Sequence, residues 1–291
     1  MGMQIATVQD QLIPFDELDP VYLDRGLYFG DGVYEVLRSY NGRLFALDEH
    51  LRRFANSLAA VAIAGVEISQ IRAKVIAAFE ASKLANAKIY FQVTRGRGSR
   101  DAFPKTPLDP TFFLFVVELG DSSAEKAKGI TVSTYPDQRW KRCDIKSLNL
   151  LPNVLAKRDA VLKGCDEAIL VNDAGLITEG AASSFFGVLD RPSGSGRRKE
   201  YVLQTAPLTA NILPSVTRMF LIQAAHNLGI PVMEEQFTPD QAKGARELIM
   251  AVTTKDVVPI IRFDGQAIGD GTPGPVTHRL AAEFQTFTSR C

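Results

Sequence analysis

Three segments of this 291-residue chain hold residue types that could do chemistry. The first is RWKRCDIKSLNLLPNVLAKRDA, residues 139–160, where Lys146 sits between Ile145 and Ser147. A lysine in partly apolar surroundings loses hydration, which favours the neutral amine. A neutral amine is what Schiff-base formation needs. Taken alone, the same context more often belongs to an ordinary surface lysine. The second segment is AILVNDAGLITEGAASSFFGV, residues 168–188. Glu179 there could hold a protonated ring nitrogen, and the small residues after it would let a flat ring approach. An ordinary turn glutamate fits the segment equally well. In the third, ILPSVTRMFLIQAA, the residues Ser215, Val216 and Thr217 open a helix. Free backbone N–H groups and the helix dipole favour a phosphate at such an end, although read alone the segment is only an N-cap. Thr253 and Thr254 in AVTTKD, residues 251–256, offer two more hydroxyls at a strand end.

Other chemistries find little support. GRGSRD, residues 96–101, lacks the spacing of a phosphate-binding P-loop. Cys143, Cys165 and Cys291 are far apart, and His50, His226 and His278 have no metal-ligand spacing. No metal site is expected, and neither is a disulfide framework.

The elements that must position these residues follow from periodicity. Val33–Tyr40 reads as a strand, Asn41-Gly42 as a tight hairpin turn, and residues 43–46 as the return strand. Leu51, Phe54, Leu58 and Val61 recur at helical spacing, with Asp48 as the expected N-cap. A second helix begins near Ser69 and turns Ile71, Val75, Ala78 and Phe79 inward. Residues 89–94 alternate as a strand. TFFLFVVEL, residues 111–119, reads as a strand buried on both faces. Further strands are expected at 130–135, 167–172 and 184–189, and helices from Pro152 to Lys163 and from Ser215 to Leu228. RPSGSGRRKE, residues 191–200, reads as a solvated hairpin tip. GDSSAEKAKG, residues 120–129, is polar and small and reads as a linker. The expected division is a small domain over 1–120, a linker over 121–129 and a larger domain over 130–291, in two α/β or α+β lobes.

Composition bounds the function class. There are 33 Lys+Arg against 33 Asp+Glu, with 46% hydrophobic residues, close to a soluble globular average. The pI near 6.8 speaks against a nucleic-acid binder. No run of about 18 apolar residues suggests a membrane span. The N-terminal residues do not read as a secretory signal, and Ala6 breaks a myristoylation pattern. A cytoplasmic protein is expected.

Taken in order, DRGLYFGDGVYEVLRSYNG (24–42), EHLRRF (49–54), IYFQVTRG (89–96), RCDIKSLNLL (142–151) and ITEG (177–180) resemble the class IV, fold-type IV pyridoxal-phosphate aminotransferases. Within them the chain looks most like the bacterial D-amino acid aminotransferases, from about Asp24 to Thr277. RCDIKSLNLL and FGDGVYEV are the specific signals. Aminodeoxychorismate lyases share much of this pattern and are the nearest alternative. An (R)-selective amine or branched-chain aminotransferase of the same fold, or a decayed cofactor-binding protein, stands further off.

The resemblance implies roles. Lys146 matches the lysine that holds the cofactor as a Schiff base and moves a proton between the substrate Cα and C4′. Glu179 matches the partner of the pyridinium nitrogen. Arg53 matches the phosphate-binding arginine, for which a bidentate fork would suit the dianion. Val216 and Thr217 match the helix end under the phosphate, and Thr253 its second hydroxyl. Arg139 and Glu35 match polar residues around the phenolic oxygen of the ring. Tyr34 and Arg100 match α-carboxylate binders, the arginine reaching in from the neighbouring subunit of a homodimer. Tyr90 and Val36 would line the same side of the pocket. The implied substrates are a D-amino acid and a 2-oxo acid.

Three positions depart from the pattern. Ala102 stands where a histidine usually follows the carboxylate-binding arginine. Ser184 lies where an asparagine is common. Val252 replaces a serine before the phosphate-binding threonine. The first departure bears on substrate more than on cofactor: either Arg97 or another nearby basic group substitutes for the histidine, or carboxylate binding is weaker and the specificity broader.

Overall fold

The computed structural model describes residues 2–191, 200–209 and 211–289. Residues 192–199 of the expected hairpin tip, like Cys291, lie outside them. A hairpin of β1 (Ile5–Val8) and β2 (Gln11–Pro14) leads through α1 (Arg25–Phe29) into a four-stranded antiparallel sheet. That sheet is built from β3 (Gly32–Tyr40), β4 (Arg43–Leu44), β5 (Ala87–Thr94) and β6 (Thr111–Glu118), in the order β4-β3-β5-β6. Between β4 and β5 run α2 (Leu47–Ala60) and α3 (Ile68–Ser82). Leu37, Phe54, Ile71, Val75, Ile89 and Phe91 form the core that the helices share with one face of this sheet.

Alternation decides which side chains reach that core. In β5, Ile89, Phe91 and Val93 are buried while Tyr90 and Gln92 face away, as the period of two requires. Asn41 and Gly42 both adopt positive φ, 49° and 81°, the geometry of a two-residue hairpin turn. The return strand is shorter than expected. Pairing ends at Leu44 because the chain turns Phe45 out of the first sheet and into the core of the second, against Phe220 and Phe284. Asp48 is not the helix cap: Ala46, in the left-handed region, precedes α2, and Asp48 and Glu49 lie in its first turn, where they still favour the dipole.

Two more expectations are corrected. β6 is an edge strand, and only half of it is covered; Phe113 is 51% and Val117 41% exposed. An all-apolar strand reads as doubly buried from sequence, but here one face packs on α3 and the other faces outward. The polar stretch after it is not a plain linker, since it contains α4 (Ser123–Lys128). This helix is tied down by ion pairs of Lys126 with Asp256 and Glu125 with Lys255.

The second sheet has nine strands. They are β7 (Ile130–Pro136), β8 (Glu167–Val171), β9 (Ile177–Gly180), β10 (Ser184–Arg191), β11 (Glu200–Thr205), β12 (Val232–Glu234), β13 (Glu247–Val252), β14 (Asp256–Phe263) and β15 (Gln266–Ala267). The order is β12-β11-β10-β13-β14-β7-β8-β9, with β15 beside β14. β7 runs parallel to both β8 and β14, and β11 parallel to β12, so the sheet is mixed. α5 (Leu151–Leu162) is the crossover between β7 and β8. α6 (Val216–Asn227) and α8 (Pro275–Ser289) pack together against one face, and α7 (Pro239–Lys243) closes a corner. The expected helix stops hold: Gly164 and Gly229 follow α5 and α6 with φ of 72° and 66°, the residue type that tolerates this region. The whole is a mixed α/β fold of two sheets joined through Phe45.

Phe45→Ala tests that joint. Removing a buried aromatic ring should cost about 3 kcal/mol or more, read as a lower midpoint in denaturant unfolding.

Candidate functional site

A cavity of about 960 Å³ opens between the two sheets. Lys146, Glu179, Arg53, Tyr34, Val36 and Thr253 all line it. Lys146 stands in a segment that pairs with the free edge of β3. Its carbonyl accepts from Tyr34 N–H at 3.0 Å, and Leu148 N–H donates to Gly32 O at 3.0 Å. Lys146 N–H also donates to Ser57 Oγ of α2 at 3.2 Å. Only a residue without a side chain fits at Gly32, where a Cβ would stand 2.8 Å from both Leu148 Cδ1 and Val93 O. Backbone bonds from two elements thus aim the lysine, and Nζ lies 4.4 Å over the Tyr34 ring.

Glu179 lies inside β9, not in a turn, and is buried. Leu213 N–H donates to Oε1 at 3.1 Å, and Arg139 Nη1 makes a short contact to the same oxygen. Burial pushes the Glu179 carboxyl up from its ordinary value, and Arg139 and the Leu213 amide oppose that rise. Arg139 also chelates Asp137 through Nε at 2.9 Å and Nη2 at 2.8 Å. The resemblance placed Arg139 beside the phenolic oxygen. In the structure its guanidinium instead serves the two carboxylates Asp137 and Glu179, because a buried carboxylate needs a matched donor.

Glu35 departs further. It is fully buried on the face of β3 opposite Tyr34 and Val36, so it does not line the cavity. Its carboxylate takes Arg53 Nε at 2.7 Å and Nη2 at 2.8 Å, and His50 Nδ1 lies 2.8 Å from Oε2. Against the cost of burial, Arg53 and His50 hold the Glu35 carboxyl well below the usual carboxylate range. Burial pushes His50 down, toward the neutral ring. A neutral His50 next to a carboxylate is the Nδ1–H tautomer, donating to Glu35. The bidentate fork of Arg53 is therefore occupied by Glu35. Nη1, which donates to Pro214 O at 3.1 Å, is the nitrogen left for a ligand.

Near Arg53 the N-terminus of α6 meets the end of β13. Ser215 caps the helix, its Oγ accepting from Arg218 N–H at 3.1 Å. Val216 and Thr217 are buried in the first turn, and Thr217 Oγ1 lies 3.4 Å from Thr253 Oγ1. Ser215, Thr253 and Thr254 reach the cavity wall. Ser183 and Ser184 are buried on the same wall, and neither hydroxyl has a partner. Two orphaned hydroxyls, a helix N-terminus, a guanidinium and a lysine amine at one cavity fit a flat phosphorylated ring.

Tyr90 is not on the cavity wall. It stacks behind Tyr34 at 5.6 Å, and burial pushes its phenol up to about 12. Arg100 is exposed and lies over Phe29, away from this chain's cavity. Its loop is held by the buried Arg25, which donates to the carbonyls of Asp101 and Ala102 at 2.6 and 2.9 Å and pairs with Asp31 at 2.9 Å. Arg25, Asp137 and the Leu213 amide have no functional signal in the sequence. They are found only as partners. The place of His50 beside Glu35 likewise has no signal in the sequence.

Residues 32–263 match the family of amino-transferase class IV. This chain belongs to the class IV aminotransferases. A D-alanine aminotransferase of Bacillus licheniformis is 37% identical to it over 90% of this chain and 89% of its own. One of Staphylococcus haemolyticus is 35% identical over 96% of both chains. Among solved structures, the branched-chain amino acid aminotransferase of T.th. with pyridoxamine 5'-phosphate has the same fold. Its TM-score is 0.83 at 24% identity, covering 100% of this chain and 96% of that one. The cofactor of class IV aminotransferases is pyridoxal phosphate. No helix among the described residues is long and apolar enough to cross a membrane.

Glu35→Gln removes the charge that matches the buried Arg53. It should destabilise the protein at pH 7 by about 3 kcal/mol. Because the folded-state pKa of Glu35 is depressed, its contribution is present above the unfolded value near 4.3 and is lost as pH falls below it. The gap in thermal midpoint between wild type and variant should therefore close as the melts are moved below about pH 4.

Proposed function

We propose that this aminotransferase exchanges the amino group between a D-amino acid and a 2-oxo acid, with pyridoxal phosphate as cofactor. The observation that carries the reading is the Lys146 amine in one cavity with Glu179 and with the Arg53–Thr217–Thr253 cradle. The names of the 35–37% identical relatives support D-alanine as a donor. When bound, the cofactor supplies an aldehyde for the substrate amine and a ring that takes up the electrons released at Cα.

The residues then have separate tasks. Lys146 would hold the cofactor through its aldehyde and would serve as the amine that takes and returns the proton at the substrate Cα. Glu179 would keep the ring nitrogen protonated. Arg53 Nη1, Thr217 and Thr253 would bind the phosphate together with the N–H groups of Val216 and Thr217. Tyr34 and Val36 form the substrate wall. Arg100 reaches the cavity of a second subunit, so the working unit is a homodimer. We take residues 1–120 as a small domain and 130–291 as a larger one, with the cofactor site between them. We place the protein in the cytoplasm.

Lys146→Ala should abolish turnover and the visible absorption that the cofactor gains on binding. Wild-type protein mixed with D-alanine and 2-oxoglutarate should release pyruvate, whereas L-alanine should leave the spectrum unchanged. Inactivity toward amino acids of either hand would favour the aminodeoxychorismate lyase reading. The trans role of Arg100 has its own test. Mixed and reassociated Lys146→Ala and Arg100→Ala subunits should recover about a quarter of the wild-type sites, since half of randomly paired dimers carry one intact site. No recovery would place Arg100 outside the site.

A further inference from the structure

The turn between β13 and β14 carries Thr253 and Thr254, both on the cavity wall. Val252 pairs with Asp256, and Lys255 N–H donates to Val252 O at 3.1 Å. Such a hairpin is a tight turn closed by one residue in the left-handed region. Here that residue is Asp256, with φ 61°. Glycine usually takes this position, because a Cβ is unfavourable at positive φ. A residue with a side chain, held there, points to a use for that side chain.

The use is visible in its contacts. Asp256 is buried, and both carboxylate oxygens are occupied. Oδ1 accepts from Arg38 Nη1 at 3.1 Å and from the Tyr40 hydroxyl in a short contact, and Oδ2 accepts from Lys126 Nζ at 2.8 Å. Arg38 and Tyr40 belong to β3 and Lys126 to α4, so a turn of the second sheet is gripped by the first sheet and by the helix between them. The rest of the turn is held from the same side. Arg38 Nη1 also donates to Thr254 O at 2.9 Å, and Lys255 pairs with Glu125 of α4 at 2.6 Å. The Arg38 guanidinium lies 4.3 Å over the Tyr40 ring, which steadies its direction.

Arg38, Tyr40, Lys126 and Asp256 are not on the cavity wall. They hold the turn from behind, while on its other side Thr253 Oγ1 lies 3.4 Å from Thr217 Oγ1. Charge-assisted bonds are stronger than the neutral backbone bond that closes the turn. The place of the Thr253 hydroxyl therefore depends on the cluster behind it.

We propose that Asp256 is a positioning residue for the cofactor phosphate: through Arg38, Tyr40 and Lys126 it locks the 252–256 turn so that Thr253 meets the phosphate beside the start of α6. This rests on the reading of Thr253 as a phosphate ligand. The test uses the full chain stripped of cofactor and titrated with pyridoxal phosphate, or with pyridoxal, which lacks the phosphate, followed by visible absorption. Asp256→Gly suits the positive φ, so it removes the side-chain bonds without straining the backbone. It should raise Kd for pyridoxal phosphate roughly tenfold or more and leave Kd for pyridoxal within about twofold. Tyr40→Phe removes a single hydroxyl and should show the same selectivity at roughly threefold. Asp256→Asn keeps an oxygen for Arg38 and Tyr40 and should fall between wild type and Asp256→Gly. An equal loss for both ligands would make the cluster merely structural, and an unchanged Kd for pyridoxal phosphate in Asp256→Gly and Tyr40→Phe would leave the turn independent of it. Either result overturns the proposal. Thr253→Val separates it from the reading beneath: if that variant binds pyridoxal phosphate as tightly as wild type, the phosphate assignment of Thr253 is at fault. A loss in Thr253→Val with none in Asp256→Gly sinks the positioning role alone.

Discussion

The pairing of residues 146–148 with the free edge of β3 is the constraint on which the site depends. It takes a segment from the second half of the chain and fixes it to the first sheet by Tyr34 N–H to Lys146 O and Leu148 N–H to Gly32 O. Backbone bonds of this kind do not rely on rotamers, so they aim the lysine at low entropic cost. Gly32 makes the approach possible. Tyr34, one residue along from Val33, both donates the bond and presents its ring under Nζ. The wall and the amine are therefore one unit.

Charge is the second organising term. Removing an arginine or a glutamate from water costs several kcal/mol per ion unless a partner restores the lost hydration. Around the cavity this is done in pairs: Glu35 with Arg53 beside the start of α6, and Arg139 with Asp137 and Glu179. Each arginine holds its geometry because a buried carboxylate occupies its fork. Among the described residues of the cavity wall, Lys146, Lys88 and the hydroxyls of Ser183 and Ser184 are left unmatched. Stability comes from the satisfied pairs, and binding capacity from what they leave over.

How far the chemistry could be read from the chain depended on sequence separation. The cap of α6, the stops at Gly164 and Gly229, the Asn41-Gly42 turn and the alternation of β5 are local, and the structure has each of them. Asp48 failed as a cap because Phe45 is drawn into the second core, which sets where α2 begins. β6 reads as doubly buried because an apolar strand looks the same whether its outer face meets chain or not. Glu35 and Arg139 were assigned to the ring because a polar residue near a site motif has no way to show, in one dimension, which face of its strand it takes or which ion it will match.

The chain alone determined the kinds of group available: one lysine in an apolar setting, a glutamate before small residues, a helix start rich in hydroxyls, and a family resemblance strong enough to name the cofactor. These are local properties of residue type and spacing. Only the tertiary structure decided which of them share a cavity, that Glu35 lies behind Arg53, that Arg139 serves Glu179, and that Arg100 points away from its own chain's site. Those outcomes rest on strand faces, register and the matching of buried charges between segments far apart in sequence. They arise only when the two sheets close on each other.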